Sequence, residues 1–525
     1  MRSLRSGPTT CRRSSSRAPR RGPAATPDPG PRPVRHPVRH LWQSVDTSRH
    51  PYLDGPVPTK LLNDPDRLLP IDPTTRAIAR DLHASVADLP ILSPHGHVDP
   101  RLLLEDRPFA DASELFLRHD HYVTRLLHSA GIDLGDLGIP GGERLAGPEE
   151  VWRTFCAHWR IFAGTASGYW LQSILAEQFG ITEQPDASTA DALFAAIGAR
   201  LSSAAFRPRA LFERFGIEVL ATTDDPLDDL AVHRALAEDP AFPGRVLPTF
   251  RPDAYLDPST PGWPERVAAL AAATGTKESS FPGFLEALRA RRRYFLDHGA
   301  VSADHGVLEP LTVDLDPAEA QSLFARARAG TIDAEGSRVL AAHLLLQSAR
   351  MSVDDGLVMT VHAGVLRNHD RPTFERFGPD TGHDIPVATR FAEPLRPLLQ
   401  ELGNAPGFHL VLFGIDESTH SRELAPLAGY YPSVFLGAPW WFLDAPDAVL
   451  RFRAAVTETA GFSRSSGFID DTRAFLSIPA RHDMARRLDA AFLARLVAEG
   501  RIDSETASAV ILDLVDAQPR KVFKL

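Results

Sequence analysis

LPILSPHGH, residues 89–97, is a short apolar run that ends in polar residues, and seven later stretches repeat the design. They are IEVLATTDDP (217–226), RVLPTFRPD (245–253), AVSADHG (300–306), LVMTVHAG (357–364), HLVLFGIDES (409–418), SVFLGAPWW (433–441) and GFIDDTR (467–473). Uninterrupted apolar runs of this length suit strands buried on both faces, as in a parallel sheet. Between most of them lie Ala-, Leu- and Arg-rich segments that read as helices, such as PERVAALAAATG (264–275), PAEAQSLFARARAG (317–330) and SRVLAAHLLLQSARM (337–351). Strand–helix alternation repeated eight times predicts an α/β fold of the (β/α)8 TIM-barrel class. The competing architecture is an open doubly wound sheet. The first run is followed by no Gly-rich dinucleotide loop, which weighs against it.

The spacing is uneven. About 120 residues separate the first two runs, far more than one helix needs, and that stretch is rich in aromatics and helix formers. It predicts a helical insertion over about 100–216, placed above the carboxyl-terminal mouth where active sites of this fold lie. Residues 51–525 then form one barrel. Residues 1–50, with 11 Arg, no Lys, two acids and eight Pro, bury too little apolar surface to offset the entropy of ordering and read as a disordered basic tail. Arg- and Ser-rich, acid-poor tails resemble organelle transit peptides, although this much proline opposes their usual amphipathic helix.

The chain of 525 residues holds 57 basic and 67 acidic side chains, and without the first fifty residues 46 and 65 remain. A body near −19 repels nucleic acid and anionic membranes, so neither is expected as a partner. No apolar stretch approaches the roughly 18 residues of a membrane span, and the expected location is the cytoplasm. Two cysteines exclude a disulfide framework and a Cys-based zinc site. A homo-oligomer is compatible with these residues and is not specified by them.

Chemistry concentrates where the runs end. In His95-Gly96-His97 the period-two alternation of a strand sends both imidazoles to the same side, where they can share one divalent ion, zinc or another borderline metal. A structural histidine pair is the alternative. The eighth run ends Asp470-Asp471-Thr472-Arg473, and closure of a barrel makes strands 1 and 8 neighbours. Asp471 can therefore supply an oxygen ligand or act as an acid/base beside the metal, or it can simply pair with Arg473. Arg473 offers a planar fork for a carboxylate.

A first-strand His-x-His with an eighth-strand Asp resembles the amidohydrolase superfamily. VHAGVLRNHD (361–370), GPDTGHDIP (378–386), GAPWWFLD (437–444) and GFIDDTRAFLSIPARHDMARR (467–487) narrow the likeness to the uronate isomerase (glucuronate isomerase) family. SADHG (302–306), TTDDP (222–226), PTFRPD (248–253) and DHYVTRLLHSAG (120–131) are similar to it as well, and the resemblance runs from about residue 53 to about 490. It implies that His95, His97 and Asp471 bind one divalent metal, with zinc the first choice. It implies that His121 and Tyr122 are the catalytic His-Tyr of the insertion, and that Asp304, His362, Trp440 and Arg473 belong to the active site. Members interconvert an aldo-uronate and the corresponding keto-uronate, such as D-glucuronate with D-fructuronate or D-galacturonate with D-tagaturonate.

That reaction needs ring opening, removal of the C2 proton and delivery of a proton to C1. Polarising the adjacent carbonyl acidifies the C2 proton, and Tyr122, Asp471 and His362 are the candidate proton carriers. The substrate carboxylate needs a cation, for which Arg473 is the first candidate and Arg367 the second. The alternative is a one-metal hydrolase of the same superfamily acting on a sugar-acid lactone, ester or amide. Hydrolytic relatives in that superfamily often bridge two metals with a carboxylated lysine on a middle strand, and none of the four lysines (Lys60, Lys277, Lys521, Lys524) lies in a run. The chain departs from the family at Gly96, where a larger residue is common, at Thr472 in place of Ser, and in 161–172 and 416–432.

Overall fold

The computed structural model describes residues 60–118, 120–142, 144–277 and 279–525. The tail read from residues 1–50 lies outside them. Seven of the expected strands form: β1 (Ile91–Ser93), β2 (Ile217–Ala221), β3 (Arg245–Leu247), β4 (Ser302–Val307), β5 (Val358–Ala363), β6 (Leu410–Gly414) and β7 (Val434–Leu436). All pair in parallel, in the ladders β1-β2-β3 and β4-β5-β6-β7. A parallel bridge from Phe250 to Ala303 joins the two ladders. Burial explains the run type: every residue of β5 and β6 is buried, because helices cover the outer face and the packed interior covers the inner one.

The eighth stave differs from the expectation of a regular strand. GFIDDTR makes no ladder. It is tied to β7 by the Leu436–Ser465 bridge and a bond from Ser466 N–H to the Leu436 carbonyl at 2.8 Å. On its other side the His97 amide donates to the Thr472 carbonyl at 3.0 Å, which closes the barrel onto the end of β1. The backbone reason is local: Gly467 (φ 79°) and Asp471 (φ 42°) lie in the left-handed region, which no extended strand tolerates.

The predicted helices form as Trp263–Thr274, Pro317–Arg328 and Ala334–Asp355. Between β1 and β2 lie six α-helices among the described residues, including His121–Ser129, Pro148–Ala157 and Ala166–Ser173. Trp152, Phe155, Phe162 and Phe179 fill the core of this insertion. At the opposite end the chain terminus seals the base: Val522 and Phe523 are fully buried, and Lys524 donates to the carbonyls of Gly356 and Gly407, just ahead of β5 and β6.

Candidate functional site

His95 and His97 follow the last paired residue of β1, and their Nε2 atoms converge on one oxygen of Asp471, at 3.4 and 3.0 Å. Three such atoms facing one another are a metal-ligand constellation, and each can lend one lone pair to the same point. Burial opposes charge on His95, but Asp304 and Asp471 together outweigh it and raise its pKa. His97 answers to Asp471 with less help, and burial takes it down to about 4. Burial would also neutralise Asp471, yet the bonds from His95 and His97 hold its carboxyl well below the usual range. The site keeps an ionised carboxylate between two imidazoles.

Below this point lies a second buried group. Asp304 on β4 accepts from Thr360 Oγ1 at 2.6 Å and bonds His362 Nδ1 at 2.7 Å, with Arg251 Nη1 3.3 Å from its other oxygen. The His362 ring stacks between His95 (4.7 Å) and Phe413 (4.0 Å), edge-on to Trp440. His95, His362 and Asp304 also present ligand-type atoms within reach of one another. Against burial, His362, His95 and Arg251 keep Asp304 ionised, well below its ordinary value.

Above them opens a cavity of about 460 Å³, a size suited to a small ligand. Its lining includes His97, His121, Tyr122, Trp440, Asp471 and Arg473, together with Arg367. Asp304 and His362 do not line it. Asp304, expected in the active site, is fully buried, with one oxygen bonded to Thr360 and His362 and the other 3.3 Å from Arg251. None of the four lysines lines the cavity.

Each wall follows from local sequence. Asp120 caps the helix His121–Ser129, its side chain accepting from the Tyr122 amide at 2.9 Å, which fixes both aromatic rings at the first turn. The β5–β6 connection folds back through a two-residue antiparallel pairing of Val365–Leu366 with Ile385–Pro386. That turn brings Arg367 and Asp380 over the mouth. Both arginines read as carboxylate holders are already engaged: Arg473 with Asp380 at 3.0 Å, and Arg367 with Asp384 at 3.0 Å.

Two lining residues went unread in the sequence. Arg251 sits after β3, bonded to Asp253 at 2.8 Å, and adds a third cation to the wall. Its signal was the lone Arg of PTFRPD at a strand end. Asp380 gave no such signal, since nothing in a long connection says which acid turns inward. Trp441 also lines the cavity beside Trp440, so both residues of the pair face it, although the alternation of an extended strand would send only one inward.

A family model described as glucuronate isomerase matches residues 74–523. A uronate isomerase of Corynebacterium efficiens is 52% identical over 462 residues, spanning 88% of this chain and 98% of that protein. The crystal structure of a glucuronate isomerase from Caulobacter crescentus superposes with a TM-score of 0.86 at 47% identity, over 89% of this chain and 97% of the other. A uronate isomerase structure from Thermotoga maritima gives 0.83 at 28% identity, over 88% and 99%. No helix among the described residues is long and apolar enough to cross a membrane.

Proposed function

The chain belongs to the glucuronate isomerase family, and from that premise we propose that it interconverts an aldo-uronate and a keto-uronate by moving a proton from C2 to C1. D-glucuronate/D-fructuronate and D-galacturonate/D-tagaturonate are the substrate pairs. The observation that carries this reading is one cavity in which an ionised carboxylate, held by two imidazoles, faces three arginines in an otherwise acidic body. An anionic sugar enters such a protein only where cations are aimed at it.

His95, His97 and Asp471 fit one divalent ion, zinc by the chemistry of two imidazoles and a carboxylate. Asp471 Oδ1 is buried and faces Nε2 of both His95 and His97, as expected of an atom at an ion site. Bound there, the ion supplies Lewis-acid polarisation of a substrate oxygen. The protein's own groups divide the rest. Asp471, ionised at neutral pH, takes the ring hydroxyl proton that opening releases. Burial lifts the Tyr122 phenol well above its ordinary pKa of 10, so Tyr122 meets the substrate as a protonated donor and supports proton transfer together with Arg473. Arg473 and Arg367 hold the carboxylate, exchanging their bonds to Asp380 and Asp384 for bonds to the ligand. Trp440 walls the sugar face, while His362 and Asp304 brace the floor and fix the orientation of His95.

Incubation with D-glucuronate and D-galacturonate in deuterated water, followed by NMR, tests the reading: ketose forms and label enters at C1. Arg473→Met removes uronate turnover and leaves the circular dichroism spectrum and melting curve near wild type. Wild-type rates in that variant, or release of a leaving group from a lactone or ester panel without ketose, overturn the assignment.

A further inference from the structure

The indole N–H of Trp441 donates to Nε2 of His121 at 2.9 Å. An indole nitrogen is a donor only, so this bond requires a lone pair on His121 Nε2. In a neutral ring the single proton then sits on Nδ1. In a protonated ring two N–H groups would face each other and the bond would be lost. We infer that Trp441 is a positioning residue: it locks His121 as the neutral Nδ1–H tautomer, so that this imidazole offers the substrate a hydrogen bond and carries no proton in the reaction.

The surroundings agree. His121 lines the cavity, and its Nδ1 has no protein partner among the described residues, which leaves that N–H for a ligand. Trp441 is held at φ 53°, a left-handed conformation that a bulky side chain adopts only under constraint. The constraint is visible. Its ring lies between Trp440 (5.5 Å) and Phe442 (5.1 Å), with the Arg367 guanidinium 5.1 Å from its centroid. That packing aims the N–H at the imidazole.

The charged groups facing His121 are Arg473 and Arg481, which oppose its protonation, and Asp380 and Asp384, which favour it. Tyr122 stacks on the ring at 4.6 Å. Burial, followed by Arg473, takes the His121 pKa down to about 4. At neutral pH roughly one molecule in a thousand carries the imidazolium, too few for a general acid.

The term "substrate" here rests on the isomerase reading; the tautomer does not, and the test separates the two. The full-length protein labelled with 15N-histidine is examined by long-range 1H–15N correlation, with the His121 signal assigned by its loss in His121→Gln. The expected wild-type pattern is a pyridine-type Nε2 and a pyrrole-type Nδ1, unchanged from pH 8 down to about 5.5. Trp441→Phe keeps an aromatic ring and removes the donor. It moves the signal toward the Nε2–H form, raises the titration point of His121 and lowers kcat/KM for glucuronate about tenfold, with a new loss of rate on the acid side. His121→Asn, whose amide N–H stands near the Nδ1 position, retains activity within about tenfold of wild type, while His121→Ala does not. An Nε2–H wild type, an unchanged tautomer in Trp441→Phe, or His121→Asn as inactive as His121→Ala overturns the inference. If Trp441→Phe fails to fold, the wild-type spectrum and the two His121 variants still decide it. A wild type that shows the Nδ1–H pattern but turns over no uronate supports the tautomer assignment and refutes the isomerase reading.

Discussion

Two glycines beside the site make opposite predictions. A methyl group built on Gly96, between the paired histidines, meets the Ala221 carbonyl at 3.5 Å and the side chains of Asp470 and Ser93 at 3.7 Å, all ordinary contacts. One built on Gly306, at the end of β4, comes 2.8 Å from Asp253 Oδ2 and 2.9 Å from Arg251 Nη2. The Gly306 amide also donates to Asp253 Oδ1 at 3.0 Å. In Gly306→Ala both side-chain tips must retreat by about half an ångström to reach a tolerable contact near 3.4 Å. Because they are ends of flexible chains, folding suffers little, about 1 kcal/mol, at the low end for an overpacked site. The cavity suffers more. Arg251 is held by Asp253 at 2.8 Å through the displaced Oδ2, and by Asp304 at 3.3 Å through Nη1 of the same guanidinium. A shift of this size in a charged group that orients a ligand lowers kcat/KM by about 10- to 100-fold. The assay compares uronate isomerisation and thermal melting for Gly96→Ala and Gly306→Ala. The reasoning fails if Gly306→Ala turns over at the wild-type rate, or if Gly96→Ala, between the paired histidines, is the more damaged of the two.

Asp380 stands 3.0 Å from Arg473 and 3.9 Å from Arg367, where a substrate carboxylate would bind. All three are partly exposed, so the pairing is worth at most about 1 kcal/mol, and Asp380→Asn lowers the uronate KM by roughly two- to fivefold; a raised KM in steady-state kinetics would show that Asp380 props Arg473 instead. Far from the cavity, Asp483 bonds His83, Arg487 and Arg67, and against burial these partners hold its carboxyl below the ordinary value. A depressed folded pKa stabilises above the unfolded value near 4 and is lost as pH falls through it. Asp483→Asn therefore lowers stability by about 2 kcal/mol at pH 7 in urea titrations, and the gap to wild type narrows below about pH 4; a gap independent of pH refutes the linkage. Elemental analysis is expected to find one divalent ion per chain in the wild type and almost none in His95→Asn/His97→Asn, with the helical circular dichroism signal retained. Full metal content in that double variant would remove the ligand assignment.

The barrel was legible because its strands are buried on both faces, which leaves an apolar run that no surface helix would carry. The eighth stave read as another such run, and Phe468 with Ile469 does supply the apolar part. What the run could not reveal was the left-handed Asp471, since Asp is among the few residues that enter that region without marking themselves. The meeting of His95, His97 and Asp471 followed from barrel closure alone, a topological argument that needs no side-chain detail. Arg251 was missed for the opposite reason. Its importance comes from Asp304, a partner 53 positions away whose direction depends on the β4 register, and periodicity carries no information about such pairs. Asp380 lies on a connection whose course is set by a two-residue pairing, below the resolution of any pattern.

The left-handed residues bind these observations together. Eight non-glycine residues among those described have positive φ, and four of them, Asn368, Asp380, Trp441 and Asp471, line the cavity that His97 and His121 also line. Chance scatter would spread them along loops, so their concentration calls for a cause. Each conformation is unfavourable and persists only where the surroundings fix it, and each has its own anchor. Asn368 gives its amide to Asp384 at 2.6 Å, and Asp380 binds Arg473 at 3.0 Å. Trp441 is clasped between rings and bonded to His121, while Asp471 lies against two imidazoles. For Asn and Asp the penalty is small; for Trp441 it is not, and a smaller residue would sit there with less strain. The strained rim is thus a set of side chains turned inward by reversing the backbone, each anchor being another residue of the site or its immediate support. Such a rim is pre-organised for a ligand because loosening any one member releases its neighbour as well.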